Sequence, residues 1–535
     1  MKKIIYCGWI VLAGSVLLSC DDFLDEMPDN RTLLDTPEKI KELLVTSYPI
    51  GSYSLITELS SDNRVDNRAP NEMGIVLNTL AFDRMDDEIF AWKEIVSSND
   101  EDSPYFLWES YYQSIAGANH AIQAIETLEA EGKGEESMSS QKGEALVLRA
   151  YSHFMLVNIF AKTYKDPVTS RSDLGIPYST KPETEAGIGY ERSSVAEVYD
   201  LIAQDLEAGI GLIDDDTYEV PKYHFNQRAA HAFAAKFYLY KKEYAKVVEH
   251  ADVVLGAGDP SLLLRDWVTI YSNPDAESNA YISVDSPANL LLIPTLSVFH
   301  RRFMNNRYAH NGKAVRGNIS DRGPTWSGRP PFLQGWVWTY GELYGIFVQK
   351  MDEYFEFTDK IAGIGYAHCV RTEFTTDATL LDRAEAKIFL NDINGAVADL
   401  QIWNKSHRAT TTLTRQNITS FYTPDKTNFV FTFHTSELSP QFVVTPEQKP
   451  FVDCVLHFRR LERMYEGDRW FDIKRYGIEL EHIIGPSAQK EYLTYDDDRR
   501  AIQIPSDVTG AGLAPNPRPQ DISNGDLKKI LVESN

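Results

Sequence analysis

Residues 228–255 constrain the fold most tightly. Residues 228–240 are rich in alanine, Lys241-Lys242-Glu243 supplies a polar turn, and residues 244–255 return with Ala245, Val248, Ala251 and Val254 on one face. Small residues at helical spacing let two antiparallel helices touch, and the bulky residues beside them must then bury against a further layer. A second pattern of this kind lies far away. It runs through Leu380-Leu381-Asp382-Arg383-Ala384-Glu385-Ala386, turns at Asn391-Asp392 and returns with Ala396, Ala398 and Leu400.

Both hairpins resemble a tetratricopeptide repeat, which places alanines where its two helices meet and aromatics where the next pair docks. They are not tandem, so the repeat is interrupted. Other long amphipathic helices are expected at 105–131, with Trp108, Tyr112, Ile115 and Ile122 on one face, and at 141–162, with Ala145, Leu148, Met155 and Ile159. A third is expected at 193–212, capped by Ser193 or Ser194 with Glu197 reaching back. Thr36-Pro37-Glu38 marks an earlier helix start. Between the hairpins, residues 257–378 are richer in Gly, Pro, Asn and aromatics, and helical periodicity fades. Residues 281–284, 290–293 and 429–433 read as short strands. The expected class is mostly α, with repeat-like hairpins as scaffold and a loop-rich region containing short strands.

At the amino end, Lys2 and Lys3 precede a short apolar stretch, residues 4–18, that closes on Leu17-Leu18-Ser19-Cys20. The stretch is too short to span a bilayer well. Small Ser19 before Cys20 resembles a bacterial lipobox. The expectation is cleavage after residue 19 and acylation of Cys20, each buried methylene adding about 0.8 kcal/mol to the anchor. The polar residues 20–36 then form a tether. Cys7 leaves with the leader, while Cys369 and Cys454 either bridge or stay buried as free thiols. The net charge is −25, which argues against nucleic acid or anionic lipid as a partner and suits a neutral ligand.

The sequence contains no His-Glu-x-x-His helix, no Gly-x-Ser-x-Gly elbow, no phosphate loop and no dinucleotide glycine set. Its histidines are scattered singly, so neither a metal site nor a cofactor is expected. Exposed-loop aromatics do stand out. Tyr308, Trp326, Trp336, Trp338 and Tyr340 fall among glycines, and Trp92 follows the acidic Asp86-Asp87-Glu88. Pyranose rings present C–H faces that stack on flat aromatic plates. Trp336 and Trp326, then Trp338, Tyr308 and Trp92, are therefore the expected ligand-binding residues of an exposed platform.

Several blocks are similar to the SusD/RagB family of nutrient-binding lipoproteins. They are residues 148–157 around Leu148-Arg149-Ala150-Tyr151, Arg383-Ala384-Glu385-Ala386, and above all Glu462-Arg463-Met464-Tyr465-Glu466-Gly467-Asp468-Arg469-Trp470-Phe471-Asp472. In the last block Glu462, Glu466 and Arg469 recur at helical spacing, so side-chain pairs along one helix and burial of Trp470 and Phe471 are expected. Flanking arginines argue against Glu466 and Asp472 as catalytic acids. The resemblance implies surface capture of an oligo- or polysaccharide and delivery to a SusC-type TonB-dependent transporter in the outer membrane, without bond cleavage. A peptide or other nutrient is the alternative ligand, and a glycoside hydrolase a more distant one. The implied layout is a leader (1–19), a lipidated tether (20–36), a helical scaffold (37–256), a loop-rich ligand-binding region (257–378), a repeat-like hairpin (379–408) and a carboxy-terminal region (409–535).

Overall fold

The computed structural model describes residues 34–518, apart from 72–73, 78–82, 134–137, 184–188, 272–276, 304–306, 334–336, 340–344, 349 and 425–428. The leader, Cys20, most of the tether and Trp336 lie outside the described residues. Among the described residues no helix is long and apolar enough to cross a membrane.

The chain is mostly α-helical, as its periodicities predict. Helix α1 (Pro37–Thr46) starts at the expected signal: the Thr36 hydroxyl accepts the Lys39 N–H and Pro37 fills the first turn. Helix α2 (Ser54–Ser60) is buried along its whole length and leads into the short strand β1 (Val65–Asp66). Helix α3 (Arg84–Phe90) carries the acidic Asp86-Asp87-Glu88 run that precedes Trp92. Asp83 caps it, Asp86 turns inward, and Glu88 accepts the N–H groups of Val96 and Ser97.

Three long helices follow: α4 (Pro104–Ala130), α5 (Ser139–Phe160) and α6 (Val195–Ile210). Ser194 and Glu197 form the expected capping box on α6, and Trp108 is buried as expected. Helices α5 and α6 approach through paired glycines. A methyl built on Gly143 would stand 2.7 Å from the Gly209 carbonyl oxygen, and one on Gly209 would stand 2.8 Å from that of Gly143. Arg149 locks the contact, donating to Asp205 at 2.7 and 2.6 Å and to Asn119 of α4 at 2.8 Å.

The hairpin α7 (Gln227–Lys241) and α8 (Tyr244–Leu255) turns through Lys242 in the left-handed conformation. Strand β2 (Asn289–Thr295) forms at the apolar run. Residues 281–284 do not form a strand. Tyr281 instead closes a short helix, because its ring sits 3.8 Å from the Arg265 guanidinium and its hydroxyl donates to Glu466 at 3.0 Å. Strand β3 (Tyr308–Ala309) pairs with β1, and β4 (Val337–Thr339) with β5 (Ile346–Val348). Strands β6 (Glu353–Asp359) and β7 (Ile364–Thr375) complete an antiparallel sheet of order β2-β7-β6. The β6–β7 hairpin, not foreseen from sequence, stands out from the body with Phe355, Phe357 and Ile361 exposed.

Helices α9 (Thr376–Phe389) and α10 (Ile393–Ser406) are the second hairpin, with the turn at Asn391-Asp392 as expected. Helix α9 packs against α7 and α8, so the two hairpins, distant in sequence, stack side by side. Arg383 clamps the stack, donating to Asp399 of α10 at 3.0 and 2.7 Å and to Asp252 of α8 at 2.7 Å. Residues 429–433 form no strand. Phe429 stacks on His457 at 4.2 Å, the Lys449 ammonium lies 4.5 Å from the Phe433 ring, and the Phe431 N–H donates to Asp453. Side chains thus satisfy the backbone that a sheet partner would otherwise have met.

The carboxy-terminal block also departs from expectation. It is not one helix but α11 (Lys449–Glu462), a turn, and α12 (Arg469–Tyr476). Gly467 has φ 89°, and a methyl there would lie 2.1 Å from the Thr57 hydroxyl, so the break is required by close approach to α2. Glu466 accordingly bonds distant groups, Tyr281 and Thr372. Trp470 and Phe471 are buried as expected. Strands β8 (Leu480–Ile484) and β9 (Gln489–Leu493) form the last hairpin. Cys369 and Cys454 are both buried free thiols, which resolves the alternative left open by the sequence.

Candidate functional site

Three segments meet at a well-formed hollow. The first runs from the end of α2 through β1 to residue 77, the second is Asn311–Gly312 after β3, and the third is β8. Pairing of β1 with β3 sets Val65 against Ala309 and Asp66 against Tyr308, and β8 packs on β1. The result is a cleft of about 550 Å³. Its polar lining includes Asp62, Arg64, Asp66, Asn67 and Asn311, and its apolar lining includes Pro70, Ile75, Leu77, Phe90 and Ile483.

The polar groups are held rigidly. Asp66 accepts the N–H groups of Arg68 and Gly485, each at 2.9 Å. Asn311 donates to the Asn67 amide oxygen at 2.9 Å, and the Leu77 N–H reaches the Asn67 carbonyl at 3.2 Å, which holds Leu77 beside the cleft. Arg64 donates to the Tyr308 carbonyl at 3.0 Å. Arg469 grips Asp62 with two bonds, at 2.8 and 2.9 Å, and Arg460 stands 3.2 Å away. Burial pushes the Asp62 carboxyl up, but the two guanidinium groups outweigh it and hold the acid well below the usual carboxylate range. Asp62 is therefore a fixed acceptor with no proton to give.

An aromatic wall backs the cleft. His482 of β8 lies between Phe90 and Trp92, with both ring centroids 4.1 Å from its own. Its nitrogens face the carbonyls of Phe90 and Ser61 at 2.7 and 3.0 Å. Burial pulls the imidazole below its ordinary value against the pull of those two carbonyls. Phe90 also touches Tyr308 at 4.5 Å.

Two of the residues expected on the platform thus converge here, but behind the cleft surface. Trp92 is buried, and its indole N–H donates to the Ser60 carbonyl at 2.9 Å. Tyr308 is buried with its hydroxyl on Asp87 at 2.5 Å. The exposed placement expected for both is corrected: each finds a hydrogen-bond partner for its polar tip and apolar neighbours for its ring, so each stabilises the wall. Trp326 stands elsewhere, half-buried against His457 and Phe458 of α11 at 5.9 and 5.8 Å, with its N–H on the Ser320 carbonyl. Trp338 belongs to β4, whose partner strand adjoins β3: a methyl on Gly345 would lie 3.8 Å from the Ala309 methyl. Trp336 lies outside the described residues.

The sequence reading missed the lining residues themselves. The signal was present in the run Asp62-Asn63-Arg64-Val65-Asp66-Asn67-Arg68, a dense set of planar donors and acceptors before Pro70. A second hollow, of about 380 Å³, lies beside α4, with Trp108, Tyr112 and Tyr190 among its walls. There the Tyr112 hydroxyl is committed to the Pro177 carbonyl and that of Tyr190 to Glu183.

Comparison with known proteins agrees with this architecture. Residues 22–239 match a family model described as "Starch-binding associating with outer membrane", a SusD-like group, and residues 302–509 match the model of the SusD family itself, SusD/RagB. A SusD-like protein of Formosa agariphila is 24% identical over 294 residues, which are 51% of this chain and 50% of that relative, so the match spans about half the relative's length. Among solved structures, a putative sugar binding protein from Bacteroides vulgatus aligns over 91% of this chain and 99% of its own, with TM-score 0.65 and 18% identity. A SusD superfamily protein from Bacteroides thetaiotaomicron aligns over 91% of this chain and 100% of its own, with TM-score 0.57 and 18% identity. A protein described as a laminarin-binding SusD-like protein aligns over 90% and 99%, with TM-score 0.54 and 17% identity. Matches to the family in both halves, on a shared helical fold, establish that this chain belongs to the SusD/RagB family.

Proposed function

We propose that the protein captures a neutral glycan in the cleft between β1, Asn311 and β8 and passes it, uncleaved, to a SusC-type TonB-dependent transporter. The observation that carries the reading is the lining: rigid amide, guanidinium and carboxylate groups set beside an apolar strip, on a fold whose relatives include proteins described as sugar-binding. Sugar hydroxyls take hydrogen bonds from such planar groups, and pyranose C–H faces pack on the strip. Trp338, on β4, and Trp336 keep their proposed role as stacking plates, and Trp92 and Tyr308 support the wall from behind. Binding without cleavage fits the site, because a glycosidase needs one carboxyl that donates a proton, whereas Asp62 is held ionised, Glu481 is also held below its ordinary value and Asp66 is committed to two N–H groups.

Family membership suggests association with the outer membrane, and acylated Cys20 is the proposed anchor. Affinity electrophoresis of the purified protein on a panel of neutral glycans tests the ligand class. Retardation by at least one glycan, with no reducing sugar released, is the expected result, whereas retardation by none and capture of peptides instead would replace the ligand. Cell fractionation of Cys20→Ala tests the anchor: the variant should appear soluble, and retention in outer membranes without the transporter would exclude lipidation as the cause.

A further inference from the structure

Away from the cleft, three buried side chains from three helices point at one spot. Asp377 lies in the first turn of α9, His407 caps the end of α10 and Glu462 is the last residue of α11. All three are buried, and one ligand atom from each lies within 4.8 Å of the other two.

The hydrogen bonds at this spot leave one buried carboxylate oxygen unmet among the described residues. His407 Nδ1 is 2.8 Å from the Trp403 carbonyl, which can only accept, and 3.0 Å from the Ser406 hydroxyl, so Nδ1 carries a ring proton. Nε2 faces Glu462 Oε2 at 2.7 Å. A positive charge, as a proton or as a metal ion, joins two such groups at that distance. The second oxygen, Glu462 Oε1, is buried and takes no hydrogen bond among the described residues. Asp377 adds a second carboxylate to the same spot.

The surroundings are those of a metal site's outer layer. A ligating histidine usually donates its other ring N–H to a carbonyl or carboxylate, which fixes the tautomer and aims the free nitrogen. Trp403 provides that carbonyl, and its indole N–H donates to Glu462 Oε2 at 2.9 Å. The Arg265 main-chain N–H holds Asp377 at 3.2 and 3.3 Å. Trp403 stacks on the His407 ring at 3.8 Å, and Phe332 closes its edge at 4.8 Å, so water is kept out. The nearest cations have partners of their own. Arg265 donates to the Tyr281 carbonyl and to Asn289, each at 2.9 Å, and Lys350 to the Glu462 main-chain carbonyl and to Glu466.

We propose that Asp377, His407 and Glu462 form a structural site for one divalent first-row cation, Zn²⁺ before Mn²⁺, that ties α9, α10 and α11 together. One imidazole and two carboxylates are ligands such ions accept, and their two negative charges balance a dication. The site is independent of the glycan reading, since none of its residues lines the cleft.

The test uses the tag-free chain, unfolded, stripped with chelator, and refolded with or without Zn²⁺. After gel filtration, plasma emission spectrometry should find one zinc per chain, and the metal-loaded protein should melt at higher temperature. Refolding with Co²⁺ in place of Zn²⁺ should give visible absorption bands of a nitrogen- and oxygen-ligated ion, a readout that needs no variant. His407→Gln and Glu462→Gln should each lose the bound metal. If the wild-type chain retains neither Zn²⁺ nor Co²⁺, the missing charge is a proton and the proposal is overturned. Metal retained undiminished by both variants would place the ion elsewhere and overturn it equally.

Discussion

Lowering the pH should destabilise the protein through histidines that the fold keeps neutral, and His153 allows the effect to be worked out. His153 lies on α5, fully buried. Its Nδ1 is 2.9 Å from the Arg149 carbonyl and so carries the proton, and its Nε2 accepts the Ser179 N–H at 3.1 Å. The Tyr178 ring stacks on it at 3.7 Å. Protonation at Nε2 would break the Ser179 bond and place a buried cation near Arg149. Burial, chiefly, presses the ring down to about 3 from an ordinary 6.5. The unfolded chain takes up its proton below 6.5 and the folded chain does not, so this stability is complete above 6.5 and is lost as pH falls toward 3. At about 1.36 kcal/mol per pH unit, the loss at pH 5 is about 2 kcal/mol. Asp102 works in the opposite sense, because burial raises it to about 7 and its contribution grows as pH falls. A double difference therefore isolates the ring. Urea unfolding of wild type and His153→Gln at pH 7 and pH 5 should show the variant's deficit shrinking by about 2 kcal/mol at the lower pH. An equal deficit at both pH values would refute the reasoning.

Other substitutions probe the frame. Gly143→Ala should cost about 1–3 kcal/mol in chemical denaturation, because its methyl would meet the Gly209 carbonyl at 2.7 Å. Arg383→Met should cost about 3–5 kcal/mol by the same measurement, since Asp399 is buried and would lose its bidentate partner, although Lys387 remains 2.8 Å away to soften the loss. Arg469→Ala should lower both melting temperature and glycan affinity, because Asp62 lines the cleft and would keep Arg460 alone as a guanidinium partner. Calorimetry on the folded fraction separates this outcome from the purely structural role that helix spacing suggested.

Much of the scaffold was legible in the sequence because its cues are local. A capping box at Ser194 and Glu197, Pro37 behind Thr36, and alanine seams in α7 and α8 act over a few residues, and the helices form where those cues stand. The strands were less legible. Residues 429–433 alternate like a strand, but Asp453, Lys449 and His457 claim their backbone and rings one by one, and nothing local reports those partners. Continuity of charges across Glu462, Glu466 and Arg469 misled for a similar reason: α2 presses on Gly467, more than 400 residues away along the chain, and forces the turn. At the site, Trp92 and Tyr308 lie against the same Phe90–His482 wall, but buried and not on an exposed platform. Their burial follows from partners on Ser60, Asp87, Phe90 and His482 that only the folded chain brings near.

Isothermal calorimetry on Asn67→Ala and Asn311→Ala, against whichever glycan retards the wild type in native gels, tests the central claim most directly. Each variant is first checked for an unchanged melting temperature. Truncating a central contact should cost about 2 kcal/mol, more than a tenfold loss of affinity. With a neutral glycan as the proposed ligand, wild-type affinity should stay nearly constant between low and high salt. Full affinity in both folded variants, or its loss on substitution of Tyr190 beside the second hollow instead, would contradict a glycan site in the cleft of β1, Asn311 and β8.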